Sequence, residues 1–206
     1  MPQKMLTTAR KKPAQERSKA TVDAILDATA RVLRKDGYDR ASTNRIAETA
    51  GVSIGSLYQY FPSKEALTAA LIDRHRAEVM EIFYERMREI GELPMREAIR
   101  TIVRAMVDVH GVDPALHRVL SEQVPKVGRL GALLEDVEVN AASVAKVFLE
   151  SRRAELRVRD IDAAVFVVVH AVEAVTHRGA RYYQSRFAPD VMVDEVTDLV
   201  HRYLVK

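Results

Sequence analysis

The chain of 206 residues is 48% apolar, enough to bury the core of one large domain or two small ones, which excludes a disordered protein. It has no cysteine, which excludes disulfides and thiolate metal sites; its first residues lack the apolar core of a secretory signal, and no run approaches the roughly 18 apolar residues of a membrane span. No membrane partner and a cytoplasmic location are therefore expected. The net charge of +3 is unevenly spread, since residues 1–64 hold 12 Lys and Arg against 6 Asp and Glu, while residues 65–206 hold 20 against 23. A basic front segment suits a phosphate-facing domain, although a solvated basic surface has the same composition.

Residues 1–14 are polar, with Arg10, Lys11 and Lys12 clustered before Pro13, and show no helical period. They read as a flexible basic tail that either follows a minor groove or stays in solvent. From about Gln15 to Asp36 the positions Val22, Ile25, Leu26, Thr29, Val32 and Leu33 follow 3-and-4 spacing, and Gly37 is placed to end this first helix. It offers a floor for Tyr38, Ile46, Val52, Leu57 and Phe61.

The stretch Ser42 to Leu67 carries the strongest pattern. Ser42 or Thr43 can cap a two-turn helix with Ile46, Ala47 and Ala50 on one face, and Gly51 allows the positive φ that ends it. Ser53 can cap a second short helix from about Ile54 to Tyr60, whose outward residues Gly55, Ser56, Tyr58, Gln59 and Tyr60 are small or hydrogen-bonding. Pro62 ends it, Ser63 caps the next, and Lys64 sits in that helix's first turn, where a cation calls for an anion nearby. Two helices joined by a short glycine turn, the second polar outward, make the helix-turn-helix arrangement that fits a major groove. Residues 15–64 are assigned to a DNA-binding domain and 65–206 to a second, effector-binding and dimerising domain.

A long helix from Lys64 to about Ile90 follows, spanning about 40 Å at ~1.5 Å per residue. Met95 to His110, Ala115 to Val124 and about Val127 to Glu155 come next, the first two separated by a GVDP break with Asp113 as cap and Pro114 at the first helical position. The helix from Ile161 to about Tyr183 is apolar around most of its circumference and must be covered on several sides. A last helix opens at Pro189. The expected fold is all-α with about nine helices. Covering Ile161–Tyr183 by a second copy predicts a homodimer, and burial inside one subunit is the alternative.

The run ILDATARVLRKDGYDRASTNRIAETAGVSIGSLYQYFPSKEALTAAL, ending at Leu71, resembles the N-terminal domain of the tetracycline-repressor (TetR) family of transcriptional regulators. The elements GY, ST, IA with AGVS, and GSLYQYFPSKEAL arrive in the family's order and spacing, over roughly a quarter of the chain. The resemblance implies that Thr43 and Lys64 touch phosphates, and that Tyr58 and Tyr60 add phosphate or thymine contacts. It places Asn44, Arg45, Ile54, Gly55 and Ser56 near base edges. Arg45 is the candidate for guanine and Gln59 for adenine, with a solvated helix face as the alternative for both. The family further implies a palindromic double-stranded operator and an unknown small-molecule effector bound by the second domain.

Within that domain Phe83, Val103, Met106 and Phe148, with Met80, could line an apolar effector cavity or form ordinary core. His110 and His117 flank the GVDP break and could line a pocket with Glu122 and Gln123. His170 and Glu173 are kept as effector candidates. With His177 they share a helix face that could in principle ligate a metal, but hydrogen bonding or cross-dimer pairing is the stronger reading and no metal is assigned. No nucleophile elbow, phosphate-cradling glycine loop or HExxH occurs, so no enzyme activity and no cofactor are expected. The function expected is a sequence-specific DNA-binding regulator, a repressor released by a small, mostly apolar effector. The alternative is a small-molecule-binding or protein-interaction module whose helix-turn-helix is vestigial.

Overall fold

The computed structural model describes residues 16–88, 90–111, 113–179 and 188–206; the side chains of residues 16, 17, 82, 110 and 134–138 lie outside the description. The basic tail at 1–14 is outside it as well, and so is the side chain of His110. Among the described residues there are nine α-helices, namely α1 (Glu16–Arg40), α2 (Thr43–Ala50), α3 (Ile54–Tyr60), α4 (Lys64–Met87), α5 (Met95–Gly111), α6 (Pro114–Glu122), α7 (Gly128–Ser151), α8 (Ile161–Arg178) and α9 (Pro189–Leu204). Short 3₁₀ turns occupy Ile90–Glu92 and Arg153–Glu155. The all-α expectation holds, and most helix ends fall where the glycines, prolines and caps place them. Of the helix expected to reach Tyr183, the described part ends at Arg178 and Gly179, and residues 180–187 lie outside the description.

The chain forms two compact units. The first takes residues up to Ala77 together with Ala115–Glu135. Its core joins Ile25, Leu33, Ile46, Leu57, Phe61, Leu67 and Leu71 to Leu116, Val119 and Leu120 of α6. The helices α1, α2 and α3 alone would bury little apolar surface, and the first half of α4 with α6 completes the core. The boundary expected at residue 64 followed the end of the helix-turn-helix stretch. The apolar face of α4, with Ala66, Leu67, Ala69, Leu71 and Ile72 buried, instead keeps residues 65–77 in the first core.

The second unit comprises Glu78–Pro114 and Asp136–Lys206. Here α5, α8 and α9 pack together around Ile99, Val103, Val165, Val172, Val193, Val196 and Val200. One polar edge of α5 is tied to α9 by a ladder of ion pairs, Arg96 with Asp198, Arg100 with Asp194 at 3.0 Å, and Arg104 with Asp190. Both series repeat every four residues, so each lies along one helix face, and opposite directions of numbering make α5 and α9 antiparallel. The chain end is fixed by a single bridge, in which Arg157 N–H donates to Leu204 O at 2.9 Å and Lys206 N–H to Glu155 O at 3.3 Å.

Candidate nucleic-acid interface

The turn between α2 and α3 is built from local chemistry. Ser42 is extended and its hydroxyl accepts from Arg45 N–H at 3.3 Å, while Ser53 accepts from Ser56 N–H at 3.0 Å. Each cap of this kind stabilises a helix start by about 1 kcal/mol. Gly51 has φ 68° and ψ 27°, and the N–H groups of Gly51 and Val52 reach back to Glu48 O and Ala47 O at 3.2 and 3.0 Å. This is the left-handed glycine stop that satisfies the last carbonyls of α2 and turns the chain into α3. Ile46, Ala47 and Leu57 are buried beneath it, so the two helices are held by core packing as well as by the turn.

Asn44, Arg45, Ile54, Gly55, Tyr58 and Gln59 are exposed, and Thr43 and Ser56 are half-buried, so eight of the ten expected DNA-facing residues form the surface of α2 and α3. The hydroxyls of Thr43 and Tyr58 are 3.0 Å apart and link the two helices across that surface. Arg45 is held by acids, with its guanidinium 3.4 Å from Glu48 and 3.8 Å from Asp36. An arginine so placed must leave two carboxylates to meet a base edge. Glu48, three residues on, was legible from helix spacing, whereas Asp36 reaches it only through the fold.

Tyr60 is half-buried like Thr43 and Ser56, but it has a partner outside α2 and α3. It packs against the first core, and its hydroxyl pairs with Ser18 of α1 at 3.0 Å. Residues two apart on a helix point about 200° from one another, so Tyr60 and the exposed Tyr58 lie on different sides of α3.

Lys64 also has a partner that was not anticipated. Its ammonium donates to Tyr38 O at 3.0 Å and lies 4.3 Å from the centre of the Tyr38 ring. Burial pushes the Tyr38 phenol up to about 12, and the Glu65 and Asp39 carboxylates add to the shift, so the ring stays neutral beneath the cation. Ser63 caps α4 by accepting from Ala66 N–H at 3.2 Å, which fixes Lys64 at the first position of the helix.

The effector candidates whose side chains are described divide between the two units. Val103 is buried in the second core, Met106 and Phe148 pack against it, and Phe83 is half-buried. His170 places Nδ1 2.7 Å from Phe166 O and its ring 4.2 Å from the Phe166 ring, while Glu173 is exposed. His117 belongs to the first unit, where its ring lies 6.0 Å from that of His75. Gln123, expected at a pocket with His117, instead accepts from Tyr38 N–H at 3.0 Å. Among the described residues no group of three His, Cys, Asp or Glu is placed to hold a metal ion. None of the described helices is long and apolar enough to cross a membrane.

Residues 25–71 match the family described as bacterial regulatory proteins, tetR family, and residues 94–204 match the tetracyclin repressor-like C-terminal domain. The chain is 29% identical over 139 residues to the nucleoid occlusion factor SlmA of Glaesserella parasuis, a match covering 67% of this chain and 62% of that protein's length. It is 44% identical over 50 residues, 24% of each chain, to the HTH-type transcriptional repressor KstR of Mycolicibacterium smegmatis. Among solved structures, NalD, the secondary repressor of the MexAB-OprM multidrug efflux pump in Pseudomonas aeruginosa, superposes with a TM-score of 0.75 at 19% identity. That superposition covers 93% of this chain and 99% of NalD, and the likeness is one of fold.

Proposed function

The chain belongs to the tetR family of bacterial regulatory proteins, and on that premise we propose that it is a homodimeric, sequence-specific DNA-binding repressor released by a small, mostly apolar effector. The observation that carries the DNA reading is the intact helix-turn-helix surface. Capped helices are fixed on a completed core, with Thr43, Arg45, Tyr58 and Gln59 on the outside. A vestigial motif has no need for both caps, the glycine stop and a polar outer face at once.

Pairing of two chains is supported by α8 and α9, which leave large apolar side chains in solvent. Phe166 is 64% exposed and Leu199 55%, and Val167, Val175, Val191 and Tyr203 add to the same helices. Such surface is normally covered by a partner, and a second copy supplies the second recognition helix that a two-fold operator requires, about 34 Å from the first. An apolar effector is favoured because Val103, Met106 and Phe148 belong to or border a core cluster of apolar side chains. In this reading α4 is the lever, since one helix carries Lys64 at its start and enters the second unit after Ala77. An effector acts by preferring one conformation, and shifts the population by no more than its differential affinity.

The test is selection from a randomised duplex pool by the full-length chain. Enrichment of a two-fold symmetric sequence is expected; no enrichment at low salt would overturn the DNA reading and favour a binding module of another kind.

A further inference from the structure

Tyr38 is the point at which three helices of the first unit meet through hydrogen bonds. Its N–H is taken by the side-chain oxygen of Gln123, the residue that follows α6, at 3.0 Å. Its carbonyl is taken by the ammonium of Lys64, the first residue of α4, at 3.0 Å. Its ring is buried in the core. The preceding Gly37 has φ 77° and ψ 172°, a conformation essentially confined to glycine. A Cβ built there would stand 2.7 Å from the Gln123 oxygen, so the backbone angle calls for glycine and a larger residue would push that amide aside.

What this junction controls follows from the chain. Gly37 O accepts from Ala41 N–H at 3.2 Å, Ala41 is buried, and the next residue is Ser42, the cap of α2. The conformation at Tyr38 therefore sets the direction in which α2 leaves α1, and with it the position of Thr43, Arg45 and, through the glycine turn, α3. Gln123 is solvent-exposed as a residue, so its amide adds little to the core. Its contribution is the acceptor that holds the Tyr38 N–H in one orientation.

We infer that Gln123 is a positioning residue for DNA recognition, coupling the end of α6 to the helix-turn-helix by accepting the Tyr38 N–H. The inference rests on the DNA-binding reading above. It makes the end of α6 a second hydrogen-bonded hold on Tyr38, beside that of Lys64 at the start of α4.

The experiment compares full-length wild type with Gln123→Met, which keeps the length and loses the acceptor, and Gln123→Glu, which keeps the acceptor. Dissociation constants are measured at one salt concentration for the duplex selected by the wild type and for a mixed-sequence duplex, with amide exchange followed at Tyr38. Loss of one hydrogen bond from the recognition-competent arrangement should lower the preference of Gln123→Met for the selected duplex by about fivefold or more. Mixed-sequence binding, which depends on charge, should not change, and the Tyr38 amide should exchange faster. Gln123→Glu should keep the wild-type preference even where its added charge weakens binding to both duplexes equally. The inference is overturned if Gln123→Met keeps the wild-type preference, if it loses affinity for both duplexes alike, or if Gln123→Glu loses the preference too. Wild type that enriches no sequence overturns the DNA reading itself and this role with it; a failure confined to the variants removes only the role of Gln123.

Discussion

The hydroxyls of Thr43 and Tyr58 stand 3.0 Å apart, joining the first turn of α2 to the outer face of α3. Two hydroxyls at this separation on an exposed surface can converge on one phosphate oxygen, and each orients the other before the phosphate arrives. Thr43→Val and Tyr58→Phe should each weaken binding to any duplex by about fivefold, and the double variant should lose less than the product of the two. Binding titrations on selected and mixed-sequence DNA check this. Strict additivity would mean that the two residues act at separate contacts.

Arg45 meets two carboxylates when DNA is absent, Glu48 at 3.4 Å and Asp36 at 3.8 Å. If it exchanges them for a guanine edge, Arg45→Ala should relax preference at one base position per half-site by about 1–3 kcal/mol. Repeating the selection with the variant shows whether one column of the consensus flattens. An equal loss on specific and random DNA would assign Arg45 to the phosphate backbone instead.

The ladder between α5 and α9 makes a prediction about the second unit. Arg100 and Asp194 are 42% and 58% exposed, so their 3.0 Å pair contributes about 1 kcal/mol or less, screened by salt. Arg100→Asp should lower the thermal midpoint by a few degrees, and adding Asp194→Arg should restore most of the loss. The gap between single and double variants should narrow in high salt, as thermal denaturation at two ionic strengths would show.

Phe166 is the largest apolar residue left exposed on α8. Placing a charge there, as Phe166→Asp, should convert a dimer into monomers in sedimentation equilibrium while the monomer stays helical by circular dichroism. A variant that remains dimeric would place the subunit contact elsewhere.

The parts of this molecule that were legible in the sequence are those fixed by near neighbours. Ser42, Gly51, Ser53 and Ser63 act within four residues of themselves, so the helix-turn-helix emerged with its bounds nearly intact. The partners of Tyr38 did not, because Gln123 is 85 residues away and Lys64 26, and no periodicity links them. Tyr60, on the face of α3 away from Leu57 and Phe61 in the sequence reading, is half-buried, and its pairing with Ser18 of α1, 42 residues away, has no signature in helix spacing. The repeat of Arg96, Arg100 and Arg104 and that of Asp190, Asp194 and Asp198 were both visible as four-residue series. Only the packing of α5 on α9 shows that they belong to one another.

The central claim, that two copies of α3 read two half-sites, is tested most directly by titrating the protein against the selected duplex and against the same duplex with one half-site scrambled. The account predicts one dimer bound per intact duplex, and for the scrambled half-site a loss of at least about a hundredfold in affinity, as several mismatched base pairs at about 1–3 kcal/mol each require. Equal affinity for the two duplexes, or one monomer bound to each, would contradict it.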